Sequence, residues 1–192
     1  MELIQRDPQL SAYLVADDVI DHDHPLVRQT AAALRAQHPD VYAYAEAAFA
    51  FVRDEIPHSS DTGDPRVTWR ASDVLARRTG ICHAKAHALA ALLRAESIPT
   101  ALCYQKFEVL HGLVAIRLPG DEVWHRQDPR GGEPGREAAF SLDEERLAFL
   151  PDPEFNEMDY PVLYAVPHGG VLSAMRTAED SSELLRTLPT DL

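Results

Sequence analysis

Cysteine is scarce in this chain. Cys82 and Cys103 are the two in 192 residues, too few for a disulfide framework and not spaced as a CxxC pair. Both read as free thiols of a reducing compartment. No basic-then-apolar leader opens the chain at Met1-Glu2-Leu3-Ile4 and no apolar run is long enough to cross a bilayer, so a cytoplasmic protein with no membrane partner is expected. Positive charge is also short: 18 Lys and Arg stand against 31 Asp and Glu, a formal charge of -13. Nucleic-acid and anionic-membrane surfaces rest on clustered Lys and Arg, and this balance excludes them. GxSxG, dinucleotide and HExxH signatures are missing. Gly131-Gly132-Glu133-Pro134-Gly135 lacks the Lys-Ser/Thr of a phosphate loop and reads as a loop beside the site. No cofactor and no metal are expected.

The composition that is present, 45% hydrophobic and 26% charged, is that of an ordinary globular domain, and the length fits one domain over 1–192. Pro25 suits the first turn of a helix ending near His38-Pro39. Asp40 caps a second helix whose apolar face runs to Ile56. The stretch Pro57–Pro65 is dense in turn formers and is expected to be an exposed loop. Ser72 is the expected cap of a short helix stopped by Gly80. Ser141-Leu142-Asp143-Glu144 reads as a capping box opening a helix through Leu147, and Pro161–Pro167 as an edge strand. From Glu133 onward thirteen acidic side chains face four arginines, an acidic extension that forms a solvated face and also suits a cationic partner such as an amine.

The most informative run is Gly80-Ile81-Cys82 and the alanine- and leucine-rich segment after it. Cys82, Ala86, Leu89, Ala90 and Leu93 recur at helical spacing, so an apolar stripe descends from the cysteine. Unpaired N–H groups and the positive end of the helix dipole favour the thiolate there, and Gly80 allows a sharp turn just before. The plain alternative is a small core residue, since free cysteine is among the most buried types. Thr100–Phe107, Leu110–Leu118 and Glu122–Gln127 then read as strands. A symmetric hairpin centred on Pro119-Gly120 sets Arg117 opposite Glu122, Ile116 opposite Val123, Ala115 opposite Trp124 and, further out, His111 opposite Asp128. Directly opposed residues share a face, so imidazole and carboxylate meet. A carboxylate on one ring nitrogen fixes the tautomer and leaves the other nitrogen to take the thiol proton.

Gly80-Ile81-Cys82, Leu89–Arg94, Ile98-Pro99, His111, Trp124 and Asp128-Pro129 together resemble the transglutaminase-like superfamily, over roughly Phe51 to Gly132. The resemblance implies an α+β fold with a cysteine-bearing helix on an antiparallel sheet. Its core would span about 40–132, with an extension over 133–192. It implies Cys82 as nucleophile, His111 as general base and acid, Asp128 as its orienter and an acyl-thioester intermediate. Animal transglutaminases have Gln before the cysteine and Trp after it, where this chain has Ile81 and His83, and no calcium-binding loop is evident. For the oxyanion the backbone N–H of Cys82 is one donor and the Gln105 amide a second candidate.

The expected activity is cysteine-dependent acyl transfer on a peptide, protein or small amide, with hydrolysis leading and aminolysis second. A non-catalytic binding module on the same fold is a rival. So is a zinc protein using His83 and His87 at i, i+4 with Cys82 or Cys103; otherwise Lys85 and His87 are read as facing solvent. His22 and His24, set among aspartates, offer a second metal reading, with a polar turn as the plain alternative.

Overall fold

A computed structural model describes residues 1–131 and 138–192, and most of the glycine-rich loop read from the sequence lies outside them. A short strand, β1 (Ile4–Gln5), precedes α1 (Pro25–Gln37) and α2 (Val41–Glu55). The caps follow the local sequence. The His24 ring accepts from the Leu26 N–H with Pro25 at the first helical position, and Asp40 accepts from the Ala43 N–H at 3.0 Å. After α3 (Ser59–Thr62) and α4 (Ala71–Arg77), α5 (Cys82–Ala95) is buried along nearly its whole length. Then come β2 (Thr100–Lys106), β3 (Leu110–Ile116), β4 (His125–Gln127), β5 (Met158–Asp159), β6 (Val162–Leu163), α6 (Gly169–Thr177) and α7 (Ser181–Thr187).

The strands β4-β3-β2-β5 form an antiparallel sheet, and β1 pairs with β6 in a small parallel ribbon. This is a mixed α+β architecture. One sheet face, with Leu102, Tyr104, Val114 and Ile116, packs against α5 and the helices around it; Ala101, Cys103, Leu113 and Ala115 on the other join Tyr13, Trp124 and Leu147. The alanines of α5 let neighbours approach closely. Tyr44 in α2 donates its hydroxyl to the Leu92 carbonyl, and Arg94 at the helix end donates to Thr100 O at 3.1 and 2.7 Å, tying helix end to strand start. Val171, Ala174, Met175, Leu184 and Leu188 of the acidic C-terminal part enter the main apolar core.

Several local expectations fail for tertiary reasons. No helix forms over 141–147. Ser141 Oγ does accept from the Glu144 N–H, but Gln127 takes both backbone groups of Ser141, Arg126 holds Glu145, and the Ala148 N–H is given to Asp128. Those bonds use the groups a helix would need. Ser72 is not the cap of α4, which starts at Ala71; its N–H is satisfied by Asp21 from a distant loop. Pro57–Pro65 is not uniformly exposed, because His58 bridges Gly80 and is buried with Ser59. The hairpin also slides: Ala115 faces Arg126 and Ile116 faces His125, two residues from the symmetric register, because a longer loop separates the strands.

Candidate active site

Cys82 is the first residue of α5, and no side chain caps that helix, so its first-turn N–H groups point outward at the thiol's end of the dipole. The approach to the cysteine is tight. A Cβ on Gly80 would lie 2.7 Å from the Ala84 Cβ and 2.9 Å from Thr68 Oγ1. Gly80 keeps an ordinary φ, so it is close packing, and not a left-handed turn, that excludes a side chain there.

His111, near the start of β3, bonds through Nε2 to Asp128 Oδ2 at 2.9 Å. The two-residue slide leaves them diagonal and not directly opposed; the pleat repeats every two residues, so both remain on one face. Asp128 has no exposed surface. Its Oδ2 also accepts from the Ala148 N–H at 3.0 Å and its Oδ1 from the Arg130 N–H at 3.1 Å. Burial alone would raise this carboxyl, but the His111 charge and these hydrogen bonds hold it below the usual range, so it is ionised. The ring of His111 is fixed from the side by Phe149 and Phe107, with centroids at 5.1 and 6.3 Å.

The other nitrogen of His111, Nδ1, remains for Cys82. Burial pushes the Cys82 thiol up; His83 and His111 charge and hydrogen bonds from the His111 and His58 rings outweigh it and bring the thiol well below its ordinary value. His83's own pKa is lowered, with burial the largest cause and the Cys82 thiolate opposing it. His111 is raised: burial opposes its charge, and Asp128 and the Cys82 thiolate more than restore it. The two shifts favour the charged form of each group, thiolate and imidazolium. Cys103, by contrast, is raised by burial and is inert at neutral pH.

His58 is the site residue that local sequence reasoning missed. It is 8% exposed, as is Cys82, and both line a cavity of about 340 Å³ together with His111. It is seated by a parallel bridge to Gly80 and by the Ser59 N–H to Gly80 O bond at 3.2 Å. Its Nδ1 is buried and has no hydrogen-bond partner among the described residues; Asp61 Oδ1 is 3.8 Å away. The ring hydrogen-bonds the Cys82 sulfur, which sets a second imidazole beside the reacting atom. The only sequence signal was a histidine after Pro57, and the contact that buries it spans more than twenty positions.

Gln105 pairs with His111 across β2 and β3, but its amide nitrogen donates to Asp159 Oδ1 at 2.8 Å and the Phe149 carbonyl at 3.5 Å. Lys85 and His87, expected at the surface, are buried. The Lys85 ammonium donates to the carbonyls of Arg53, Ile56 and Arg130 at 3.1, 2.6 and 3.2 Å, which ties α2 and the turn after Asp128 to the cysteine helix. His87 Nδ1 lies 2.8 Å from Trp69 O and His83 Nε2 lies 2.9 Å from Leu110 O, so each ring is bound to a different backbone carbonyl. Among the described residues no three His, Cys, Asp or Glu side chains group as metal ligands. His22 bonds Leu14 O and His24 caps α1.

Comparison with known proteins matches residues 28–129 to the profile of the transglutaminase-like superfamily. Curated proteins give no match. Among solved structures, a candidate cysteine protease from Cytophaga hutchinsonii is 20% identical with a TM-score of 0.51, covering 65% of this chain and 43% of its own. The periplasmic domain of TgpA from Pseudomonas aeruginosa, bound to ethylmercury, is 26% identical with a TM-score of 0.50, covering 64% and 49%. The chain thus spans less than half the length of each of these neighbours.

Proposed function

Since the chain belongs to the transglutaminase-like superfamily, we propose that it is a cysteine-dependent acyl-transfer enzyme acting on an amide or peptide bond, with hydrolysis as its reaction. One observation carries the reading: a thiol at an uncapped helix start shares a cavity with a histidine whose far nitrogen is held by a buried carboxylate.

The Cys82 thiolate attacks the carbonyl carbon, and the π pair moves onto oxygen. The backbone N–H of Cys82 and a ring N–H of His58 hold that oxyanion in this reading; the Gln105 amide nitrogen is committed to Asp159. His111 gives its Nδ1 proton to the leaving nitrogen as the C–N bond breaks, producing an acyl-thioester. Water then loses a proton to His111 and attacks the thioester carbonyl; the C–S bond breaks and the thiolate–imidazolium pair returns. Asp128 keeps the ring oriented throughout and stabilises its cation. The same thioester would pass to an amine, and Glu108 and Glu157 beside the cleft favour a cationic one. Peptides, proteins and small amides in a reducing cytoplasm are the proposed setting.

The test is acylation by p-nitrophenyl acetate. Mass spectrometry should find an acetyl group on the Cys82 peptide and none in Cys82→Ser, which should unfold at an unchanged temperature. A variant that loses several degrees of Tm points to a packing cysteine. Added methylamine separates the two outcomes by whether N-methylacetamide forms.

A further inference from the structure

The cavity that opens on Cys82 and His111 is apolar along most of its wall. Phe107 and Val109 come from the β2–β3 turn, Phe149 from the segment that also anchors Asp128, Leu185 from α7 and Leu188 from the residue that ends it. Phe107 and Phe149 pack edge to face with centroids 5.6 Å apart, giving a stiff aromatic corner beside the histidine. Charge is sparse there. Glu108 and Glu157 line it, and the Arg130 guanidinium is already paired to both carboxylate oxygens of Asp61 at 3.0 and 2.8 Å.

The wall from α7 is held by the chain's last residues. The Leu110 N–H, one residue before His111, donates to Pro189 O at 2.9 Å, and Asp191 pairs with Lys106 and accepts from the Tyr160 hydroxyl. Phe149, Leu185 and Leu188 all lie beyond the matched family span, which ends at 129.

We propose that this cavity is an acyl subsite and that the substrate's acyl group carries an apolar chain, aliphatic or aromatic, directly beside the carbonyl that Cys82 attacks. This rests on the acyl-transfer reading and names its substrate class. Water leaves both surfaces when such a chain enters, which favours binding by about fourfold per methylene. An acidic chain meets Glu108 and Glu157 and has no free cation among the lining residues.

The experiment is a chain-length series: p-nitrophenyl acetate, butyrate and hexanoate, with Cys82→Ser as background. In each, the thiolate forms the C–S bond and p-nitrophenolate leaves with the electron pair of the broken C–O bond, so the burst of yellow anion reports acylation. The expected rise in kcat/KM from acetate to hexanoate is on the order of a hundredfold. Leu185→Gln and Leu188→Gln should each cut the hexanoate-to-acetate ratio at least fivefold. Leu185 is only half-buried, so its variant and the wild-type series remain decisive if Leu188→Gln, which sits in the core, fails to fold. Iodoacetamide alkylation at pH 6 reads the thiol without the subsite. A flat series with rapid alkylation overturns the subsite alone. Slow alkylation with no burst from any ester overturns the acyl-transfer reading and the subsite with it.

Discussion

Two histidines share the Cys82 sulfur and serve it differently. His111 is tied through Nε2 to a carboxylate held below its usual range, and its charge and hydrogen bond favour the thiolate. His58 has a looser one, Asp61 Oδ1 at 3.8 Å from its Nδ1, and its ring lines the same cleft. The two roles separate kinetically, because alkylation by iodoacetamide develops no oxyanion and ester acylation does. His58→Phe is expected to slow acylation by p-nitrophenyl acetate about a hundredfold and alkylation far less, with His58→Gln, which keeps a side-chain N–H, recovering most of the loss. Equal losses in both reactions would make His58 a tuner of the thiol only. His58 was hidden in the sequence because turn formers surround it, and nothing local signals a bridge to Gly80. Cys82, His111 and Asp128 could be picked out because each sits in a strong local pattern.

At the scale of elements, α5 and β3 set the distance between sulfur and imidazole, and Gly112 sets the distance between α5 and β3. A Cβ at Gly112 would fall 2.2 Å from His83 Nδ1, and that ring is in turn held to Leu110 O. Gly112→Ala should therefore cost about 2 kcal/mol or more in urea unfolding, while His83→Ala in the same chain makes room and restores part of it, a coupling visible in the double-mutant cycle. Additive losses would mean that the contact does not set the spacing. The hairpin shows what patterning can and cannot tell. The alternation placed His111 and Asp128 on one face, and that survives because a slide of two residues preserves parity; the register itself depended on a loop that no turn motif specified. The helix expected over 141–147 fails for the converse reason. Its cap is present, but Asp128, Arg126 and Gln127 bind its backbone and side chains from outside.

For the whole molecule, the buried His87 makes stability fall on the acid side. His87 is pushed down to about 4 by burial, against a small opposing effect of its bond to Trp69. An unfolded chain binds the proton near pH 6.5 and the folded one does not until about 4, so stability is lost as pH falls through that window, by about 3 kcal/mol from this group. Asp128, lowered in the folded state, adds its own loss only below the ordinary carboxylate range. Urea titrations at pH 7 and 4.5 should show the drop in wild type and a clearly smaller one in His87→Asn; an equal drop would place the sensitivity elsewhere. The overall architecture was legible because helical and strand periods are strong over α2, α5, β2 and β3. The acidic tail read as a solvated face, yet its apolar minority, Val171, Met175, Leu184 and Leu188, carries it into the core and to the cleft.

The central claim is that His111 holds Cys82 as a thiolate, and the pH dependence of iodoacetamide alkylation in wild type and His111→Ala tests it most directly. Wild type should react with an inflection well below the ~8.5 of an ordinary cysteine, and His111→Ala should move that inflection back toward it. An ordinary inflection in wild type, or one that His111→Ala leaves in place, would contradict the account.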